Sequence, residues 1–148
     1  MLHFEGDKEF SQAVAEVWGQ LSDARFLVQC IPGLETVAEA TPTLARCVLR
    51  PGFSFVRGTL EVTLTVVEAV APSLIRALVH GKGIGSTSTV EVTLNLSARD
   101  HGTRAHWVAD IQELGGLLKA VPQGLLKAAA QKVLTDLMAA VDAKLDQQ

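Results

Sequence analysis

Three stretches in the second half of the chain alternate apolar and polar residues almost without a slip, and that alternation leaves few architectures open. In TLEVTLTVV, Leu60, Val62, Leu64 and Val66 fall on one side and Thr59, Glu61, Thr63 and Thr65 on the other. STVEVTLNLS repeats the pattern with Val90, Val92, Leu94 and Leu96 against Glu91, Thr93 and Asn95. TRAHWVADIQ sets Ala105, Trp107, Ala109 and Ile111 against Arg104, His106, Asp110 and Gln112. A period of two gives each strand one buried and one wetted face, the pattern of an antiparallel sheet. SLIRALVHG, TLARCVLRPG, the segment after Pro32-Gly33 and a short LHFEG at the start add further strands. The breaks TPT, RPG, APS and DHG are turn-like and of hairpin length. About six or seven strands are predicted.

Helical spacing brackets this run. Asp7 is predicted to cap a helix whose apolar face is Phe10, Val14, Val17 and Leu21, at i, i+4, i+7 and i+11, flanked by Trp18. Ser22-Asp23 then caps a short helix from Ala24 to about Gln29, ended by Pro32 and Gly33. After Pro122, placed in a first turn, a long amphipathic helix carries Leu126, Ala130, Val133, Leu137, Val141 and Leu145 along one side. Gln131, Thr135 and Asp142 lie opposite. Helices segregated from a contiguous antiparallel sheet make an α+β fold, expected as one domain over residues 1–148.

A long helix laid on a curved sheet leaves a space, filled by side chains or holding a ligand. Ala128, Ala129, Ala130, Ala139 and Ala140 on the helix, with Ala105 and Ala109 on the last strand, are small enough to leave volume there.

Composition narrows the function. The chain is 48% hydrophobic and 20% charged with net charge −3, which is globular and offers no basic face for phosphates, so nucleic acid is not an expected partner. No signal-peptide pattern opens the chain, and no run approaches about 18 uninterrupted apolar residues. A cytoplasmic protein is expected, with Cys30 and Cys47 as reduced, buried thiols and the Asn95-Leu96-Ser97 sequon without consequence.

Catalytic motifs are missing. PGFSFV lacks the second glycine of a nucleophile elbow. There is neither H-E-x-x-H nor C-x-x-C, so no metal site is expected. HGKGIGST fits no phosphate-loop spacing and reads as a bulged hairpin. His3, His80, His101 and His106 are scattered. Only His80, sharing parity with Arg76, has an ambiguous facing, and an outer-face position is the expectation. No catalytic residue and no cofactor are predicted.

The segment VWGQLSDARFLVQCIPGLETV carries a resemblance. Val17, Trp18, Leu21 and Asp23 followed by Cys30-Ile31-Pro32-Gly33 are similar to the N-terminal signature of the carbon monoxide dehydrogenase CoxG family, in the START-like or SRPBCC superfamily. FVRGTLEVTLTV, with Phe55 and Gly58, resembles the family's Phe-x-Gly strand in slightly different spacing. GKGIGSTSTVEVTLNLS and GTRAHWVADIQELGGLL are similar to its later hairpin and last strand. The resemblance implies a helix-grip fold, a curved antiparallel sheet around a long C-terminal helix, enclosing a deep apolar cavity. It also implies a lipid- or quinone-like ligand and an accessory role to a carbon monoxide dehydrogenase-type molybdenum hydroxylase complex. Some members reach the membrane through a tail; Gln148 follows the helix directly, so at most transient membrane contact is expected.

In such a fold the Pro32-Gly33 corner stands at the cavity mouth, with Ile31 and Leu34 at its lip. The expected strand lining is Val62, Leu64, Val79, Val92, Leu94, Trp107 and Ala109. Leu126, Ala130 and Val133 complete it from the helix. The rival readings are a polyketide cyclase-like enzyme, whose cavity needs polar acid and base groups, and an interaction module with a filled core.

Overall fold

The computed structural model describes residues 2–50 and 58–146; Phe55 and the PGFSFV stretch lie outside them. The order is β1 (His3–Phe10), α1 (Val14–Leu21), α2 (Ala24–Gln29), β2 (Leu34–Ala40), β3 (Leu44–Leu49), β4 (Leu60–Val70), β5 (Leu74–Gly83), β6 (Ser86–Arg99), β7 (Gly102–Gly116), a 3-10 turn (Leu117–Ala120) and α3 (Gln123–Asp146). The strands form one antiparallel seven-stranded sheet in the order β1-β7-β6-β5-β4-β3-β2. The fold class is the expected α+β one.

Consecutive strands from β2 to β7 pair antiparallel, β1 seals the edge beside β7, and the two short helices carry the chain from β1 to β2 at the opposite edge. Register shifts at Leu34/Thr36, Val37/Glu39, Val66/Glu68 and Thr89/Val90 interrupt the ladders. Each such bulge bends its strand and adds twist, so the sheet curves. The alternation read from the sequence sets the facing: Val62 pairs with Gly81, Leu64 with Val79, Ala77 with Val92 and Ile75 with Leu94, all on the concave side.

α3 is held at one end. Leu134, Met138, Val141 and Leu145 are its buried line, at i, i+4, i+7 and i+11. Lys8 Nζ pairs with Asp142 at 3.1 Å, and Gln12 Nε2 donates to Asp146 Oδ1 at 2.8 Å. They tie the C-terminal half to β1, the strand its backbone approaches most closely, and to the turn that follows it. From Gln123 to Val133 the one buried residue is Leu126. The buried stripe therefore includes Leu134 and Met138 in place of the expected Val133, which is 37% exposed.

Three local expectations are corrected. Asp7 does not cap a helix; β1 continues to Phe10 because eight residues pair with β7, and α1 begins only at Val14. Asp7 lies instead on the outer face, where His106 and Arg104 hold its carboxyl below the usual carboxylate range. The β5–β6 connection is not a bulge: Gly83 pairs with Ser86, and Ile84 and Gly85 turn the chain with φ of 55° and 68°, a two-residue primed turn. Pro122 precedes α3 rather than opening its first turn, and its carbonyl accepts from Leu125 and Leu126 N–H at 3.1 Å.

Cys30 and Cys47 are free and buried. Burial pushes the Cys30 thiol up to about 11 and raises Cys47 as well, so at pH 8 neither carries appreciable reactive thiolate. Both are expected to resist a thiol reagent at pH 8 in the native protein and to react promptly in denaturant, as a colorimetric thiol titration will read.

The two glycines Gly33 and Gly19 make opposite predictions. Gly33 has φ of +78°, and a Cβ there would collide with the Arg50 carbonyl. Gly33→Ala is expected to cost at least about 1–2 kcal/mol from the left-handed backbone alone. Gly19, inside α1, has open space around an added Cβ, so Gly19→Ala is expected to stabilise by roughly 0.5–1 kcal/mol. Denaturant melts of the two variants check both signs.

Candidate ligand cavity

Because α3 is clamped at its C-terminal half, its middle stands away from the concave sheet, and a cavity of about 490 Å³ lies between them. That is within the range of small-molecule sites, roughly 300–1,000 Å³. The walls come from alternate residues of three adjacent strands: Leu60, Val62 and Leu64 of β4; Ile75, Ala77, Val79 and Gly81 of β5; Ser88, Val90, Val92 and Leu94 of β6. Phe4 enters from β1, and Met138 and Val141 close the space from α3.

The opening is at the corner made by Ile31, Pro32 and Gly33. Gly33 takes the left-handed turn that sends the chain from α2 into β2, and its carbonyl accepts from Arg50 N–H at 2.9 Å. Lys132, Val133 and Asp136 are lining residues of α3 that also reach solvent. The corner is thus both a rigid reversal and part of the lip.

Of the expected lining, Ile31, Val62, Leu64, Val79, Val92 and Leu94 are in the wall, as are Ala130 and Val133 of α3. Four expected residues are not. Trp107 is buried, but its indole lies across Gly6, its partner on β1, where a Cβ would come within 2.5 Å of Cζ2. It meets Phe4 edge-on, with centroids 6.2 Å apart. Phe4, not Trp107, therefore presents the aromatic surface. Ala109 is fully buried between Phe4 and Val92 in the register, and its methyl is too short to reach past them. Leu34 begins β2 beyond the reversal and packs partly buried against the core. Leu126 is buried a turn before Ala130, the first α3 residue in the wall.

The small-residue argument for the space is also corrected. Ala128 and Ala139 are exposed, Ala129 is only half-buried, and Ala105 is sealed into the core. The volume arises from the standoff of α3 and from Ala77 and Gly81 on β5. Sequence reasoning missed Phe4, Ile75, Ala77 and Ser88, although extending the alternation of Val79 and Val90 by one step or two points to the last three.

The electrostatics are one-sided. His80 sits on the outer face, its Nδ1 3.0 Å from Thr89 Oγ1. Arg76 is on the same face, paired with Glu68 at 3.1 Å and Glu91 at 3.5 Å. Neither points into the cavity. His3 and His106 are outside as well, where hydrogen bonds to Asp110 and Glu5 raise the pKa of His3. Among the described residues, no group of three or more His, Cys, Asp or Glu side chains is placed to hold a metal ion, and no helix is long and apolar enough to cross a membrane.

Comparison with known proteins agrees with this geometry. The model of the carbon monoxide dehydrogenase CoxG family matches residues 6–146. A conserved protein from Geobacillus kaustophilus superposes with a TM-score of 0.87 at 24% identity, covering 99% of this chain and 96% of that one. A START superfamily protein from Mycobacterium smegmatis gives 0.72 at 13% identity, covering 98% and 97%. At these identities the two structures establish the fold. No curated protein matches the chain.

An open cavity predicts how a bulky substitution behaves. Ala130→Trp is expected to abolish uptake of an apolar fluorescent probe while costing less than about 3 kcal/mol, the upper range for overpacking a filled core. Probe titration and a urea melt on the same preparation separate the two effects.

Proposed function

The chain belongs to the carbon monoxide dehydrogenase CoxG family, and on that premise we propose that its cavity binds a hydrophobic, lipid- or quinone-like small molecule. The observation that carries this reading is the inner surface itself. Val62, Leu64, Ile75, Val79, Val92 and Leu94 face a space of about 490 Å³ under a helix that does not fill it. Covering apolar ligand surface there is worth about 25 cal/mol per Å² removed from water. The proposed role is binding rather than turnover. A general acid or base must come within hydrogen-bond reach of the reacting group; His80 and Arg76 face away, and the ionisable lining residues Arg50, Lys132 and Asp136 are held in ion pairs, Arg50 with Glu35 and Lys132 with Asp136.

The family match supports a finer proposal, that the protein serves a carbon monoxide dehydrogenase-type molybdenum hydroxylase as an accessory that holds or delivers this ligand. Net charge −3 and the lack of a basic run in the sequence support contact with membranes that is transient at most, since each Lys or Arg near an anionic surface contributes only about 1 kcal/mol.

Mass spectrometry of an organic extract of the purified protein tests the binding role. A stoichiometric apolar compound is expected from the wild type, and much less of it from Ala130→Trp. An extract empty of such compounds, with no uptake of added apolar probes, would overturn the reading. In flotation at low salt, no stable recovery with anionic liposomes is expected.

A further inference from the structure

The cavity is not uniform along its length. At one end Phe4, Ile75, Leu94, Met138 and Val141 are each 4% exposed or less, and all are apolar. At the other, every charged or hydroxyl-bearing residue of the lining is gathered: Arg50, Ser88, Lys132 and Asp136. On β5 the two ends are marked by Ile75 and Gly81, six residues apart, so the axis is roughly 20 Å long at about 3.3 Å per residue.

The charges at the open end cancel. Arg50 Nε is 3.0 Å from Glu35 Oε2, and Lys132 Nζ is 2.8 Å from Asp136 Oδ2. The remaining polar group is the hydroxyl of Ser88, the one polar member of the inward series Ser88, Val90, Val92, Leu94. Its cross-strand partner is Gly81, where even a Cβ would come within 3.2 Å of Ser88 Oγ. Glycine there leaves the hydroxyl open to the cavity, and it makes no hydrogen bond among the described residues. A hydroxyl both donates and accepts, so it suits a carbonyl or a hydroxyl equally.

We propose that the ligand is a long-chain amphiphile that lies tail-first in the cavity, with an uncharged carbonyl- or hydroxyl-bearing head hydrogen-bonded to Ser88 at the open end. This rests on the hydrophobic-ligand reading above and adds its polarity and its anchor. The closed end holds only carbon and sulfur surface for a polar head, which would lose its water without a replacement partner. An ionised head at the mouth meets two pairs already satisfied.

The chain carries its own reporters of orientation. Its two tryptophans both sit beside the closed end: Trp107 packs on Phe4, and Trp18 donates its indole N–H to Leu74 O at 3.1 Å, next to Ile75. Bromine quenches indole fluorescence only near contact. Long-chain fatty alcohols brominated near the methyl end are expected to quench more strongly at saturation than the same alcohols brominated beside the hydroxyl. Ser88→Ala is expected to weaken the alcohol by roughly two- to tenfold, the range for one hydrogen bond, and to leave the matching alkane unchanged. The corresponding carboxylate is expected to bind more weakly than the alcohol at pH 8. Stronger quenching by the head-brominated isomer would overturn the orientation. Equal loss of alcohol and alkane in Ser88→Ala, or no loss of either, would overturn the anchor, and tighter binding of the carboxylate would overturn the uncharged head. In each of those cases the hydrophobic-ligand reading survives. Failure of every probe, alkane included, to bind the wild type would overturn that reading too.

Discussion

Everything distinctive in this structure depends on where the last helix is fastened. Val141 and Leu145 of α3 are buried to 0% and 2% exposure, and Lys8–Asp142 and Gln12–Asp146 join the same half to β1 and the turn after it. The ion pair is partly exposed and contributes at most a little. The apolar burial is the stronger hold, at about 1.5–3 kcal/mol for each large side chain removed from water. With one half fixed, the stiffness of a continuous helix sets the position of the other. The sheet beneath it curves through its bulges, and a straight helix over a concave surface touches at one end and clears the middle. The cavity is the geometric remainder of those two shapes.

Glycines and aromatics adjust that remainder. Gly6 on β1 lets the Trp107 indole lie flat across the strand, which keeps the largest side chain of the sheet out of the cavity and leaves Phe4 as its aromatic wall. Gly81 on β5 leaves Ser88 uncovered. Gly33, in a backbone conformation that disfavours other residues, lets β2 start close against Arg50 and so brings Ile31 and Pro32 to the lip. Each is a place where the absence of a side chain determines where a neighbouring side chain goes.

The match to the CoxG family over residues 6–146 gives this cavity a biochemical setting. A protein proposed to carry a poorly soluble molecule needs a space sealed from water at one end and accessible at the other. The contrast between Phe4, Ile75 and Met138 on one side and the paired ions of Arg50 and Lys132 on the other has that form. It also explains why the titratable groups that attract attention in the sequence, His80 and Arg76, are spent on the outer face in contacts with Thr89, Glu68 and Glu91.

The alternation in β4, β6 and β7 was enough to establish an antiparallel sheet and to assign its concave face, because side-chain direction in a strand flips with every residue and a wet face cannot be buried cheaply. The 3.6-residue spacing after Pro122 likewise established a long helix, and Cys30-Ile31-Pro32-Gly33 located the corner. Local patterns of this kind are encoded residue by residue. They did not show that Val133 belongs to the rim while Leu134 and Met138 are buried, that β1 outlasts Asp7 and delays the first helix, or that Ala128 and Ala139 face water. Nor did they show that Trp107 turns away while Phe4 turns in. Those outcomes depend on which of two compatible surfaces another element covers: the rotation of α3 about its axis, the eight-residue pairing of β1 with β7, and the empty place at Gly6. Such contacts join residues far apart in the chain, as Gly6 and Trp107 are, so their energies exist only once the chain has closed on itself.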